Sequence, residues 1–150
     1  NSPFEAERDK ALQAFAEHFK DNPLVMDQWF SVQAGNPLPG GLERVQTLMQ
    51  HPAFTLKNPN KVRALIGAFA NQNLVNFHRA DGAGYHFLAD QVITLNSQNP
   101  QIASRLLAPL TRWRKYDSAR QALMRDELER ILASGTLSSD VYEVVSKSLA

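Results

Sequence analysis

Asn58-Pro59-Asn60-Lys61-Val62-Arg63-Ala64-Leu65-Ile66-Gly67-Ala68-Phe69-Ala70 is the stretch on which the reading of the fold turns. Val62, Leu65, Ile66, Phe69 and Ala70 fall at the i, i+3, i+4, i+7 spacing of one helix face. Asn is a favoured N-cap because its side chain accepts a hydrogen bond from an orphan N–H of the first turn. Pro suits the next position, where its missing N–H costs nothing and its φ is already helical. Gly67 interrupts the stripe at a cost of about 1 kcal/mol against Ala, so a neighbouring helix is expected to approach its backbone closely. The same dipeptide opens apolar-periodic runs at Asn22-Pro23 and Asn99-Pro100, which places the three starts about 36 and 41 residues apart. That spacing is near the ~40–47 residue period of helical-pair repeats, an architecture that usually presents a surface rather than performing chemistry.

Outward from this stretch the pattern continues. Towards the N-terminus, Ser2-Pro3 opens a helix predicted over 3–20, with Leu12, Phe15, Ala16 and Phe19 as its stripe. After Asn22-Pro23, Val25, Trp29 and Val32 lie along one side. Gly35 to Gly41 carries the strongest loop signal, and Leu42, Val45, Leu48 and Met49 mark a short helix that stops before His51-Pro52. Towards the C-terminus, 71–84 reads as irregular. Tyr85, Leu88, Ala89, Val92 and Leu95 form the next helix. Asn99-Pro100 opens one carrying Ile102, Leu106, Leu110 and Trp113, with a kink or break expected at Pro109. Asp117 or Ser118 caps a helix bearing Met124, Leu128, Ile131 and Leu132, which Gly135 closes. Ser138 or Ser139 caps the last, with Val141, Val145 and Leu149. No stretch alternates as a half-buried strand does. The predicted fold is all-α: a superhelix of antiparallel helix pairs, ARM/HEAT-like, with about eight helices in one domain over 1–150.

The 150 residues include no Cys and carry a formal net charge of +1. The first fact removes disulfides, thiolate catalysis and Cys-bound zinc, and it suits a reducing, cytoplasmic compartment. The second offers no field for nucleic acid or an anionic membrane. No apolar run approaches the ~18–20 residues of a membrane span. The opening Asn1-Ser2-Pro3 shows neither a signal peptide nor an initiator Met, so a fragment of a longer chain is expected.

Four histidines, His18, His51, His78 and His86, are the obvious reactive candidates, but no His-Glu-x-x-His occurs among them. His86 and Asp90, four apart on one helix, read as a surface pair, since two ligands are too few for a closed metal site. His78, beside Arg79 and Asp81, reads as a loop anchor. Asp81-Gly82-Ala83-Gly84 resembles a phosphate loop only superficially; it lacks the full Gly-rich pattern and a preceding strand, so a tight turn is expected. Arg105, Arg112, Arg114 and Lys115 form a basic stretch offset by Asp117, Asp126, Glu127 and Glu129. Arg105 and Arg112, seven apart, are expected on one face of a solvated helix. The other reading of this stretch is a groove that receives carboxylates, and Arg63, beside the stripe of its own helix, is a further candidate for it.

Several motifs in order carry a family resemblance: 58–70 itself, Asn76-Phe77-His78, Asp81 to Leu88, Leu95 to Leu106, Arg114-Lys115-Tyr116-Asp117, and the ending from Leu137. Together they resemble the C-terminal helical domain of the bacterial aminopeptidase N family, the alanyl aminopeptidases among the gluzincin zinc peptidases. The resemblance is dense from about 58 to 150 and less distinctive before that. It implies a non-catalytic domain, the C-terminal part of a larger aminopeptidase, whose zinc and His-Glu-x-x-His lie in a catalytic domain absent from this sequence. It implies that the domain caps the active-site cavity, controls peptide access, and has the catalytic domain of the same polypeptide and peptide substrates as partners. Arg63 and Arg105 match positions that look toward that cavity and are carried over as substrate contacts; no catalytic or metal-binding residue is expected in this chain. A free-standing helical-repeat scaffold for protein–protein interaction is the alternative, and an independent hydrolase built on His78 or His86 a third reading.

Overall fold

The computed structural model describes Lys10, Ala14 and residues 23–38 and 40–150. The helix predicted over 3–20, with Leu12, Phe15, Ala16, His18 and Phe19, and the cap at Asn22 lie outside the described residues.

Nine helices and no strand occur among the described residues. They are α1 (Pro23–Ala34), α2 (Gly41–Leu48), α3, α4 (Leu74–Phe77), α5 (Ala83–Gln98), α6 (Pro100–Leu106), α7 (Ala108–Thr111), α8 (Ser118–Ala133) and α9 (Ser139–Leu149). Helix α3 runs as an α segment Pro59–Val62, a π segment Arg63–Gly67 and a second α segment Ala68–Gln72. A short 3₁₀ turn, Trp113–Lys115, precedes α8. Packing follows chain order, as in a stacked repeat: α1 on α2 and α3, α3 on α4, α5 on α6 and α8, and α9 on α6 and α8.

The caps behave as the sequence chemistry requires. Asn58 Oδ1 accepts from Asn60 N–H at 3.0 Å and Asn99 Oδ1 from Ile102 N–H at 3.3 Å, each followed by Pro in the first turn. Asp117, not Ser118, caps α8, and Ser138, not Ser139, caps α9. The break at Pro109 is real: α6 ends at Leu106, and α7 starts at Ala108 with Pro109 in its first turn.

Three expectations need correction. The 71–84 segment contains a helical turn, α4, which Asn73 caps by accepting from Asn76 N–H. On α1 the buried face is Met26, Trp29, Phe30 and Ala34, while Val32 is 68% exposed. Both faces of α1 are apolar, so spacing alone could not choose; the face carrying Met26 and Phe30 has more apolar area to remove from water. Among the described residues no neighbouring helix comes close to Gly67: a Cβ there would meet only Arg63 Cβ and Val62 O of its own helix, each at 4.0 Å. The glycines under pressure are elsewhere. A Cβ on Gly84 would land on the Phe77 carbonyl, within 2.9 Å of its carbon, and one on Gly41 would come within 2.6 Å of the Asn76 amide.

Candidate functional site

Helix α3 is buried almost all round. Lys61, Val62, Ala64, Leu65, Ile66, Ala68, Phe69 and Ala70 are all inside. Besides the terminal Pro59 and Gln72, what remains is a narrow seam: Asn60, Arg63 and Asn71 are exposed and Gly67 is half-buried between them. The Arg63 Nη2 donates to Asn60 Oδ1 at 2.6 Å, so one arm of the guanidinium is held and the rest faces solvent.

The π geometry is anchored from two sides. Ala68 N–H reaches back to the Arg63 carbonyl, the i→i+5 bond that widens the turn. Ser31 Oγ on α1 donates to the Ala64 carbonyl at 2.9 Å, and Asn71 Nδ2 donates to the Gly67 carbonyl at 2.8 Å. Such single-turn π segments recur at functional sites, where they re-aim backbone and side chains. A buried ion pair, Lys61 Nζ to Asp27 Oδ1 at 2.6 Å, fastens α1 to α3 just ahead of the widened turn.

Arg105 sits in the last turn of α6 and is exposed. Arg63 and Arg105 thus stand on different helices, and neither lines the two cavities described below. A break at Leu107 separates α6, which carries Arg105, from α7, which Arg112 follows, and both arginines are exposed. Arg114 stacks over the Trp113 ring, 4.7 Å from its centroid.

His78 and His86 are engaged in packing and polar anchoring. His78 Nδ1 lies 2.6 Å from the buried Tyr85 hydroxyl, and its ring packs on Tyr116 at 4.4 Å between centroids. Burial, with the Arg120 charge adding to it, holds the His78 imidazole below its ordinary pKa, and burial pushes the Tyr85 phenol up to about 12. The His78–Tyr85 contact ties the C-terminal end of α4 to α5. His86 does more than pair with Asp90 at 3.7 Å: its Nδ1 lies 2.9 Å from Glu127 Oε1, and Arg130 bridges Glu127 at 3.0 Å and Asp90 at 2.9 Å. This lattice fastens α5 to α8 along a groove of about 490 Å³ that Asp81, Phe87 and Leu123 also line. Among the described residues no group of three or more His, Asp or Glu could hold a metal ion.

Two features escape a reading of the sequence because their partners lie far apart in the chain. Asn73 Nδ2 donates to the carbonyls of Ala34 at 2.9 Å and Asn36 at 2.7 Å, and Asn76 Nδ2 to Leu38 O at 3.1 Å. These bonds clamp the 34–38 stretch beside a second cavity of about 430 Å³ lined by Pro37, Glu43, Val75 and Arg79. The cap-like Asn73-x-x-Asn76 spacing is the one local signal of this clamp. The second is the Lys61–Asp27 pair, for which the sequence offers none.

The comparisons with known proteins agree with this architecture. The family described as "Domain of unknown function (DUF3458_C) ARM repeats" matches residues 1–150. The chain is 48% identical over 143 residues to aminopeptidase N of Escherichia coli (strain K12), covering 95% of this chain and 16% of that protein. It is 49% identical over 142 residues to aminopeptidase N of Caulobacter vibrioides, again covering 95% of this chain and 16% of the relative. Among solved structures it resembles Legionella pneumophila aminopeptidase A, crystallised with aspartic acid, with a TM-score of 0.90 and 42% identity over 96% of this chain and 17% of that one. The chain therefore spans about one sixth of the length of the curated relatives it matches.

Proposed function

From the premise that this chain belongs to the DUF3458_C ARM-repeat family and is the C-terminal domain of aminopeptidase N-like proteins, we propose that it is the non-catalytic cap of a zinc-dependent, cytoplasmic aminopeptidase. In this reading the rest of the same polypeptide supplies the zinc and the peptide-bond chemistry, and the helical stack closes over the active-site cavity. Peptides then reach the zinc only past this domain, and the enzyme removes residues from their N-termini. The observation that carries the proposal is the match to aminopeptidase N in separate organisms, at 46–49% identity over 95% of the chain. A stack of helices packed in chain order is the architecture of a supporting part.

Within that reading Arg63 and Arg105 are substrate-side contacts. Both are exposed, and a guanidinium has five N–H donors in a fixed fork, suited to peptide carbonyls or a C-terminal carboxylate. Changing both to Ala in the full-length enzyme should raise KM for peptides of several residues by about tenfold, the loss of roughly 1.4 kcal/mol of binding. A short aminoacyl-anilide, which cannot reach so far, should keep its KM. Equal effects on long and short substrates, or none on either, would return both arginines to a structural role.

A further inference from the structure

Among the described residues nothing requires Gly67 to be glycine. Its φ of −62° is one that any residue adopts, and a methyl group at this position would find its nearest described atoms 4.0 Å away, an ordinary contact distance. Glycine is nevertheless unfavourable inside a helix. The position is half-buried in the solvent seam of α3, with Asn60, Arg63 and Asn71 exposed around it.

The polar groups along that seam are only partly used. Asn60 spends its carbonyl on Arg63 and keeps its amide N–H groups; Asn71 spends its amide on the Gly67 carbonyl and keeps its oxygen. Arg63 keeps the donors that Asn60 does not take. The seam thus offers donors at one end, an acceptor at the other, and a bare backbone between them. A peptide main chain, which carries an N–H and a C=O at every residue, has the chemistry to match such a set. From Asn60 to Asn71 a helix rises about 16 Å, the length of about five residues of extended chain.

We propose that the seam Asn60–Arg63–Gly67–Asn71 is a track for the main chain of an extended peptide, with Gly67 left bare so that the peptide lies against the helix. The track recognises backbone rather than side chains, so it serves peptides of varied sequence. Its widened π turn, pinned by Ser31 and Asn71, keeps Arg63 and Gly67 on the same open edge. This inference rests on the reading that the domain faces peptide substrates.

The test uses the full-length enzyme with Gly67→Ala and, separately, Asn71→Ala, each assayed on an unbranched peptide of six residues and on an aminoacyl-anilide, with melting temperatures recorded. The track requires the ratio of the hexapeptide KM to the anilide KM to rise three- to tenfold in Gly67→Ala, with a melting temperature equal to or above that of the parent. Asn71→Ala should raise the same ratio by a smaller factor. An unchanged ratio in both variants overturns the track, as does a fall in melting temperature for Gly67→Ala with the ratio unmoved, since the glycine would then serve the fold. If changing Arg63 and Arg105 raises the hexapeptide KM while Gly67→Ala and Asn71→Ala leave the ratio alone, the track falls and the cap reading stands. If none of these variants moves it, both fall.

Discussion

Helices α3 and α5 both carry a glycine within their spans, and the two glycines answer to different demands. Gly84, in the first turn of α5, sits where the end of α4 crosses it, and any side chain would strike the Phe77 carbonyl. Gly67, at the end of the π segment of α3, has room for a methyl group on every described side. The same residue type in the same secondary structure is thus imposed by packing in one region and left over by packing in the other. A glycine that none of the described neighbours requires, on a polar seam, points outward to whatever the seam meets.

The contrast is most exposed to failure at Gly84. Gly84→Ala should destabilise the protein by about 3 kcal/mol, at the upper end of overpacking costs, because backbone rather than a flexible side chain must give way. In a thermal melt of a domain this size that is roughly 6–12 °C. A melting temperature within a degree of the parent would show that α4 and α5 can part freely, and the contrast with Gly67 would lose its basis.

Asn73→Ala comes next, at about 2 kcal/mol. The change removes the α4 cap and strips the Ala34 and Asn36 carbonyls of their donor in a buried setting. Retained stability would mean that the 35–38 stretch is held without it by Asn76 and by Arg44, whose Nη2 donates to the Asn36 and Leu38 carbonyls at 3.3 and 2.7 Å. At Gly67 the expected sign is opposite: Ala should stabilise by about 0.5–1 kcal/mol through helix propensity alone. Loss of stability there would put Gly67 in the same class as Gly84.

The smallest effect is a pH dependence at the α4–α5 junction. The His78 pKa is depressed in the folded protein by burial, with Arg120 assisting, so the unfolded chain binds the proton more readily. Its contribution is therefore fully present above the unfolded histidine value near 6.5 and is lost as pH falls through the lower folded value. His78→Gln should flatten the fall in stability as pH drops below the unfolded histidine value, measured by denaturant unfolding at several pH values. An identical slope in parent and variant would show that His78 does not contribute.

Much of the architecture is legible in the sequence because it rests on local chemistry. Asn-Pro starts, Asp117 and Ser138 caps, the Pro109 break and the 85–95 stripe are all decided within a turn or two of helix. The buried face of α1 is not, because apolar residues occupy both of its sides and only the tertiary neighbours choose between them. The candidate site is legible as residues but not as surroundings. Arg63 and Arg105 come from a family resemblance, while the Ser31 bond to Ala64 and the Lys61–Asp27 pair, which frame the π turn, join groups more than thirty residues apart. Gly67 stands out in the sequence as a glycine inside a helix, but no described helix packs closely on it, and nothing in the sequence says which face of α3 stays open.

Whether peptide lies along α3 can be read by hydrogen–deuterium exchange on the full-length enzyme, comparing free enzyme with enzyme saturated by a peptide of six residues that it cannot cleave. Bound peptide should slow exchange across 59–72, where the seam of α3 lies, and leave 83–98, the span of α5, unchanged. Equal exchange in 59–72 with and without peptide, or protection that arises in 83–98 instead, would contradict the peptide track.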